Sequence, residues 1–341
     1  MDNRNYDLRV DISYEVPGFR LSDGKTPPTR FKALLLYLIM GAGLLVSSLV
    51  ASGVQLIFPG ASFWILQVIV SLIYYGGAFF LPLMLFLKKG GRPAVYAMRP
   101  SLVSFRTAII SVALAVVGVY FANNLTALWS LPFDAAGFNI YTNSVPTPQS
   151  IPDLILALLS VGVFPGLFEE AAFRGFMMPA FEEKGTKRAI VFITLLFALL
   201  HGSVVGFPAQ FILGAVMAVL LVLTDSIYPG IIFHTVYNSG TMILAYMQSQ
   251  MGVEAALPGE LFASIGIEGL VLVMVQLPMQ AAAIFFMFRG LYCRAKNSGF
   301  MPIEKQKMRL RGGEIALLCG GLSFAVLYYI IDILAMTGVL V

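Results

Sequence analysis

The chain has 341 residues, of which 58% are hydrophobic and only 12% charged, with a net charge of +4 at pH 7. A soluble domain carries about twice that charged fraction, so a soluble globular protein is excluded. The small basic excess gives no reason to expect nucleic acid as a partner. Long apolar runs recur along the whole sequence, each near the roughly 20 residues that cross a bilayer as a helix. They are continuous rather than alternating, which selects helices over a closed barrel. The expected fold is an all-α polytopic transmembrane helical bundle of eight or nine spans.

Residues 1–31 are polar and lack a basic stretch followed by an apolar core, so a cytoplasmic tail is expected and a cleavable signal peptide is not. The transmembrane domain then covers 32–341. Spans are expected near 32–58, 62–87, 107–131, 151–181, 189–204, 207–224, 229–249, 264–291 and 315–341. The fifth and sixth are short and share the Gly202–Pro208 turn. The eighth carries Pro278, where a kink is expected because proline removes a helix hydrogen bond. Cys293 and Cys319 are the only cysteines, form no CxxC pair, and predict no structural disulfide.

Basic residues orient the spans. Six stand before or at span one (Arg4, Arg9, Arg20, Lys25, Arg30, Lys32), and five between spans two and three (Lys88, Lys89, Arg92, Arg99, Arg106). Three follow span four (Lys184, Lys187, Arg188), and seven lie between spans eight and nine (Arg289, Arg294, Lys296, Lys305, Lys307, Arg309, Arg311). These are 21 of the 22 Lys and Arg, all on one side of nine alternating spans. The positive-inside rule makes that side cytoplasmic and places the C-terminus outside. An integral multi-pass protein without a signal peptide suits a bacterial plasma membrane or an endoplasmic reticulum, the bacterial membrane being the expected one.

The remaining basic residue, Arg174, sits inside span four with Glu169 and Glu170. Ionisable groups inside a span are costly and mark function by default. The only histidines, His201 and His234, fall in spans five and seven, and Asn238 follows His234 on the same helical face. At about 1.5 Å rise per residue, Glu170, His201 and Asn238 all lie roughly 18–20 Å from the inner ends of their spans, with His234 at about 13 Å. One shared site within residues 150–250 is expected. Asp332, Glu268 and Asp225 lie near span ends and read as solvated or anchoring. Asn123, Gln276 and Gln280 read as hydrogen-bond partners between helices.

Glu170 and Arg174, four residues apart, form the favourable helical ion pair, which leaves Glu169 free for reaction. Pro165-Gly166 should loosen or break the helix, so that the positive end of the second half favours an ionised carboxylate. A free carboxylate with two imidazoles and an amide suggests activated-water chemistry, with glutamate as base and His/Asn as oxyanion donors. The set Glu169, His201 and His234 could instead hold zinc with an open water position. Spacing does not choose between these, since no HExxH pair is present.

These residues resemble the CPBP intramembrane protease family, which includes type II CAAX prenyl endopeptidases and bacterial Abi proteins. The pattern EExxxR, FxxxH and HxxxN stands here as Glu169-Glu170-Ala171-Ala172-Phe173-Arg174, Phe197 to His201, and His234 to Asn238. The resemblance covers roughly residues 150–245. It implies that Glu169 activates water with His201 assisting, that His234 and Asn238 stabilise the oxyanion, and that Glu170 and Arg174 organise the site. It implies a peptide or protein substrate, prenylated or otherwise membrane-anchored, in a lipid setting. Family members are described as glutamate-type and as metal-dependent, so zinc stays open. Two rival readings are a non-catalytic immunity or peptide-binding protein of the same family, and a proton-coupled transporter, against which the absence of a repeat counts.

Overall fold

The computed structural model describes residues 28–140, 145–251, 258–298 and 309–339. The polar tail with Arg4, Arg9, Arg20 and Lys25, and Lys305 and Lys307 later, lie outside the described residues, as do the side chains of Arg92 and of residues 258–266. Nine long helices and no strand occur among the described residues. They are α1 (Arg30–Ile57), α2 (Phe63–Gly91), α3 (Phe105–Ala135) and α4 (Ile151–Glu182). There follow α5 (Thr186–Leu200), α6 (Phe207–Thr224), α7 (Tyr228–Gln250), α8 (Pro258–Asn297) and α9 (Gly312–Met336). Each coincides with an expected span to within a few residues. Pro278, where a kink is expected, lies inside the single helix α8.

Seven of these helices are long and apolar enough to cross a membrane, α5 and α7 being the exceptions. The chain is an integral, multi-pass membrane protein. Helix α7 has 23 residues and is long enough, but it carries the polar side chains of the site. Helix α5 has 15 residues. That length reaches about 22 Å, short of the roughly 30 Å hydrocarbon core. The α5–α6 turn therefore brings non-helical backbone to membrane depth, which is tolerated only inside protein or along a cavity.

Protein groups hold this turn. Trp129 Nε1 donates to the Val204 carbonyl (2.9 Å), and the Val204 amide donates to Asp332 Oδ2 (2.7 Å). Asp332 is only 4% exposed, so of its two expected roles anchoring holds and solvation does not. Gly202 turns the chain with φ +59°, and a Cβ there would overlap the Cβ of Tyr328.

The outer surface is apolar, as lipid requires: Met279, Phe285 and Phe286 of α8 are each at least 60% exposed. Between α3 and α8 the polar link is Asn124, whose Nδ2 donates to Gln276 Oε1 (2.9 Å) and Gln280 Oε1 (3.2 Å). Asn124 takes the part expected of Asn123, because one residue rotates the side chain by about 100° around the helix.

Helices α4 and α7 meet through small residues. A Cβ on Gly162 would overlap Ser239 Oγ, and one on Gly166 would overlap Thr235 Oγ1. Glycines four apart facing hydroxyls four apart give the close backbone approach typical of small-residue helix interfaces in membranes. Replacing Gly166 by valine should force the helices apart at a cost of about 1–3 kcal/mol or more. A lower Tm and loss of any activity are expected, measured by thermal unfolding of the purified variant in detergent.

Candidate active site

Helix α4 does not break at Pro165-Gly166. It continues from Ile151 to Glu182, with π-helical turns at Leu158–Val163 and Glu170–Met177 around an α-helical piece, Phe164–Glu169. Pro165 occupies the first turn of that piece, just after the wider π turn, where its missing N–H is tolerated. No new helix N-terminus therefore forms beside the acids, and the dipole argument for their ionisation does not apply. A third π turn, Tyr75–Phe80, interrupts α2. Single π turns inside helices often accompany functional sites.

Glu170 and Arg174 lie at the base of the site, 0% and 1% exposed. Arg174 Nη1 donates to Glu170 Oε1 at 2.8 Å, the ion pair that the spacing predicts. Arg174 Nη2 donates to the Gly214 carbonyl on α6 (2.9 Å), and the guanidinium lies 4.3 Å from the Phe197 ring centre. One side chain thereby joins α4, α5 and α6. Such a buried charge is supportable only when paired and hydrogen-bonded in this way.

His234 Nδ1 lies 3.2 Å from the same Glu170 Oε1. An ionised carboxylate only accepts, so the ring nitrogen carries the proton and donates it. Gly230, one turn before His234, leaves room for the carboxylate: a Cβ there would stand 2.8 Å from Glu170 Oε2. His234 Nε2 then faces Glu169 Oε2 at 4.0 Å. That gap is too long for a hydrogen bond.

Glu169 is not free, as the spacing suggests, but is held on its other side. The Tyr75 hydroxyl donates to Glu169 Oε1 at 2.8 Å. The Tyr75 ring stacks on Phe168, with centres 5.7 Å apart and planes 16° from parallel. Glu169 Oε2 has no hydrogen-bond partner among the described residues. Sequence reasoning missed Tyr75, because an aromatic in an apolar span reads as packing. The available signal was the run Tyr74-Tyr75-Gly76-Gly77 in the middle of span two.

His201 stands at the C-terminal end of α5 rather than within it. Its Nδ1 lies 2.8 Å from the Phe197 carbonyl, which can only accept, so Nδ1–H donates and Nε2 is left for the cavity. Asn238 Nδ2 donates to the Val161 carbonyl in the first π turn of α4 (2.9 Å). Glu169, His201, His234, Asn238 and Tyr75 all line one cavity of ≈ 480 Å³. Glu170 and Arg174 support it from below. The described residues contain no group of three His, Cys, Asp or Glu side chains arranged to hold a metal ion.

Residues 151–240, from the start of α4 to the middle of α7, match the family model of the type II CAAX prenyl endopeptidase Rce1-like proteins. The matched stretch contains every residue of the three motif blocks and supports the resemblance that they carry. Tyr75 and Asp332 lie outside it. No curated protein and no solved structure matches the chain.

Proposed function

We propose that this chain is an intramembrane endopeptidase that hydrolyses a peptide bond with water activated by Glu169. The observation that carries this reading is the convergence of Glu169, His201, His234 and Asn238 on one cavity, above the buried Glu170–Arg174 pair. The Rce1-like match of residues 151–240 points to a protease acting on peptides or proteins in membranes.

In this mechanism, water sits between Glu169 Oε2 and His234 Nε2. Glu169 takes its proton as the oxygen attacks the scissile carbonyl. His201 orients the water from across the cavity. His234, its ring fixed by Nδ1–H, lies beside the developing oxyanion, to which the second amide hydrogen of Asn238 donates. Glu169 then returns the proton to the leaving amine. Glu170 fixes the His234 ring through Nδ1, and Arg174 holds Glu170. A peptide extended across the cavity meets these groups without a covalent intermediate.

Purified protein incubated with a panel of quenched-fluorescence peptides, with and without a prenylated CAAX sequence, tests this reading. Cleavage that persists in a chelator is the expected result. Cleavage abolished by chelator and restored by zinc would replace the glutamate mechanism with a metal-dependent one. Peptide bound but never cut would favour the non-catalytic reading.

Tyr75 acts on this mechanism through Glu169, by fixing which carboxylate oxygen faces the cavity. Tyr75→Phe keeps the ring stack and removes only the hydroxyl. A buried hydrogen bond to a charged group contributes about 1.5–3 kcal/mol. Steady-state kinetics should show kcat falling about ten-fold or more, since each 1.36 kcal/mol is a factor of ten, with KM little changed. An unchanged kcat would remove Tyr75 from the site.

A further inference from the structure

The two ends of the bundle treat the cavity differently. At one end lie the basic connections, bound together by side chains. Arg99 pairs with Glu182 and, at 3.1 Å, with Asp225. The Ile227 amide donates to the Arg99 carbonyl (3.0 Å), and the Ser226 hydroxyl donates to the Ser101 carbonyl (2.5 Å). These contacts tie the α2–α3, α4–α5 and α6–α7 connections to one another. Between them and Glu170, α4 places Phe173, Phe176, Met177 and Phe181, none more than 1% exposed. The site is closed toward the basic end.

The opposite end is built otherwise. The α3–α4 connection reaches the end of α7, where Ser249 Oγ donates to the Pro148 carbonyl (3.2 Å) and Gln250 Nε2 to the Gln149 carbonyl (3.1 Å). The Asn139 amide donates to the Met336 carbonyl at the end of α9 (2.8 Å). In sequence, the connections 58–62, 136–150 and 251–257 contain no Lys or Arg. Starting from Glu169, the cavity extends this way. Its lining includes Gln67, four residues after the start of α2, Thr241 beyond Asn238, and Val145 of the α3–α4 connection, which is 44% exposed.

The geometry points to a substrate that arrives from the end opposite the basic loops. Because basic loops stay in the cytoplasm, we infer that the peptide enters from the extracytoplasmic face. The inference rests on the reading of the cavity as a peptidase site and names the class of its substrate. Around Glu169 and the histidines the lining is uncharged: Phe197, Phe233, Tyr237 and Met217 give an apolar wall, and Gln67 and Thr241 supply polar atoms. A volume of ≈ 480 Å³ falls within the roughly 300–1,000 Å³ of sites that enclose a small ligand. It admits a short extended stretch and excludes a folded domain. The substrate is therefore an uncharged, mostly apolar peptide segment on or beyond the outer leaflet, such as part of an exported or membrane-anchored peptide. A tail presented from the cytoplasm would meet the closed end.

Cysteine labelling tests the direction of access without requiring turnover. Cys293 is exposed near the basic end of α8 and serves as its reporter in a Cys319→Ser background. Val145→Cys and Thr241→Cys, each with both native cysteines replaced, report the cavity mouth. A membrane-impermeant maleimide is added to right-side-out and to inverted vesicles from the expressing bacterium. The expected result is mouth labelling in right-side-out vesicles and Cys293 labelling in inverted ones. Mouth cysteines that react only in inverted vesicles, or in neither, would overturn the inference. Cleavage in detergent is read separately, so loss of the peptidase reading and loss of the access route are distinct results.

Discussion

Glu169→Gln should bind a peptide substrate as tightly as the wild type and turn it over at least a hundred-fold more slowly. A positioned general base contributes typically 10²–10⁴-fold, and here the same group also returns the proton to the leaving amine. The amide is nearly isosteric with the carboxylate and can still accept from the Tyr75 hydroxyl, which now donates at 2.8 Å. The fold should therefore be retained, with Tm within a few degrees of wild type. Fluorescence polarisation of a labelled peptide gives the binding, and its cleavage rate gives the turnover. A variant that cuts at the wild-type rate would take the base role from Glu169.

Arg174→Ala should fail earlier, at folding. Arg174 pairs with Glu170 at 2.8 Å and donates to the Gly214 carbonyl at 2.9 Å, and it is 1% exposed. Removing it leaves Glu170 buried with a charge that only His234 can offset. Breaking a buried pair this way costs about 3–5 kcal/mol, a large part of a typical domain's stability. Arg174→Lys should recover only part of this. A single ammonium cannot serve Glu170 and Gly214 along the same two directions, and it loses the stack on Phe197. Thermal unfolding in detergent should rank wild type above Arg174→Lys and Arg174→Ala last. Equal stability of all three would show that the cluster contributes little.

The spans were legible because the bilayer leaves little choice: about 20 apolar residues, no charge, and basic residues between them. The site residues of α4, α5 and α7 were legible for the complementary reason. Glu169, Arg174 and His234 in apolar helices carry a cost that packing does not explain. Tyr75 carries no such signal, since its hydroxyl is one polar atom on a ring that suits an apolar core equally well. The π turns of α4 were hidden too. Pro165 beside Gly166 reads as a break, and only the packing of Gly162 and Gly166 on Ser239 and Thr235 shows why the helix stays whole. His201 was placed within a span, yet α5 ends there. The hydrogen bonds that support a turn at membrane depth come from Trp129 and Asp332, 72 residues before His201 and 131 after it. No local pattern announces such partners.

The most direct measurement of the central claim is mass spectrometry of peptides incubated with purified wild type and Glu169→Gln side by side. The peptidase account predicts a new amino terminus at a defined bond with the wild type and intact peptide with the variant. Identical products from both proteins would contradict it.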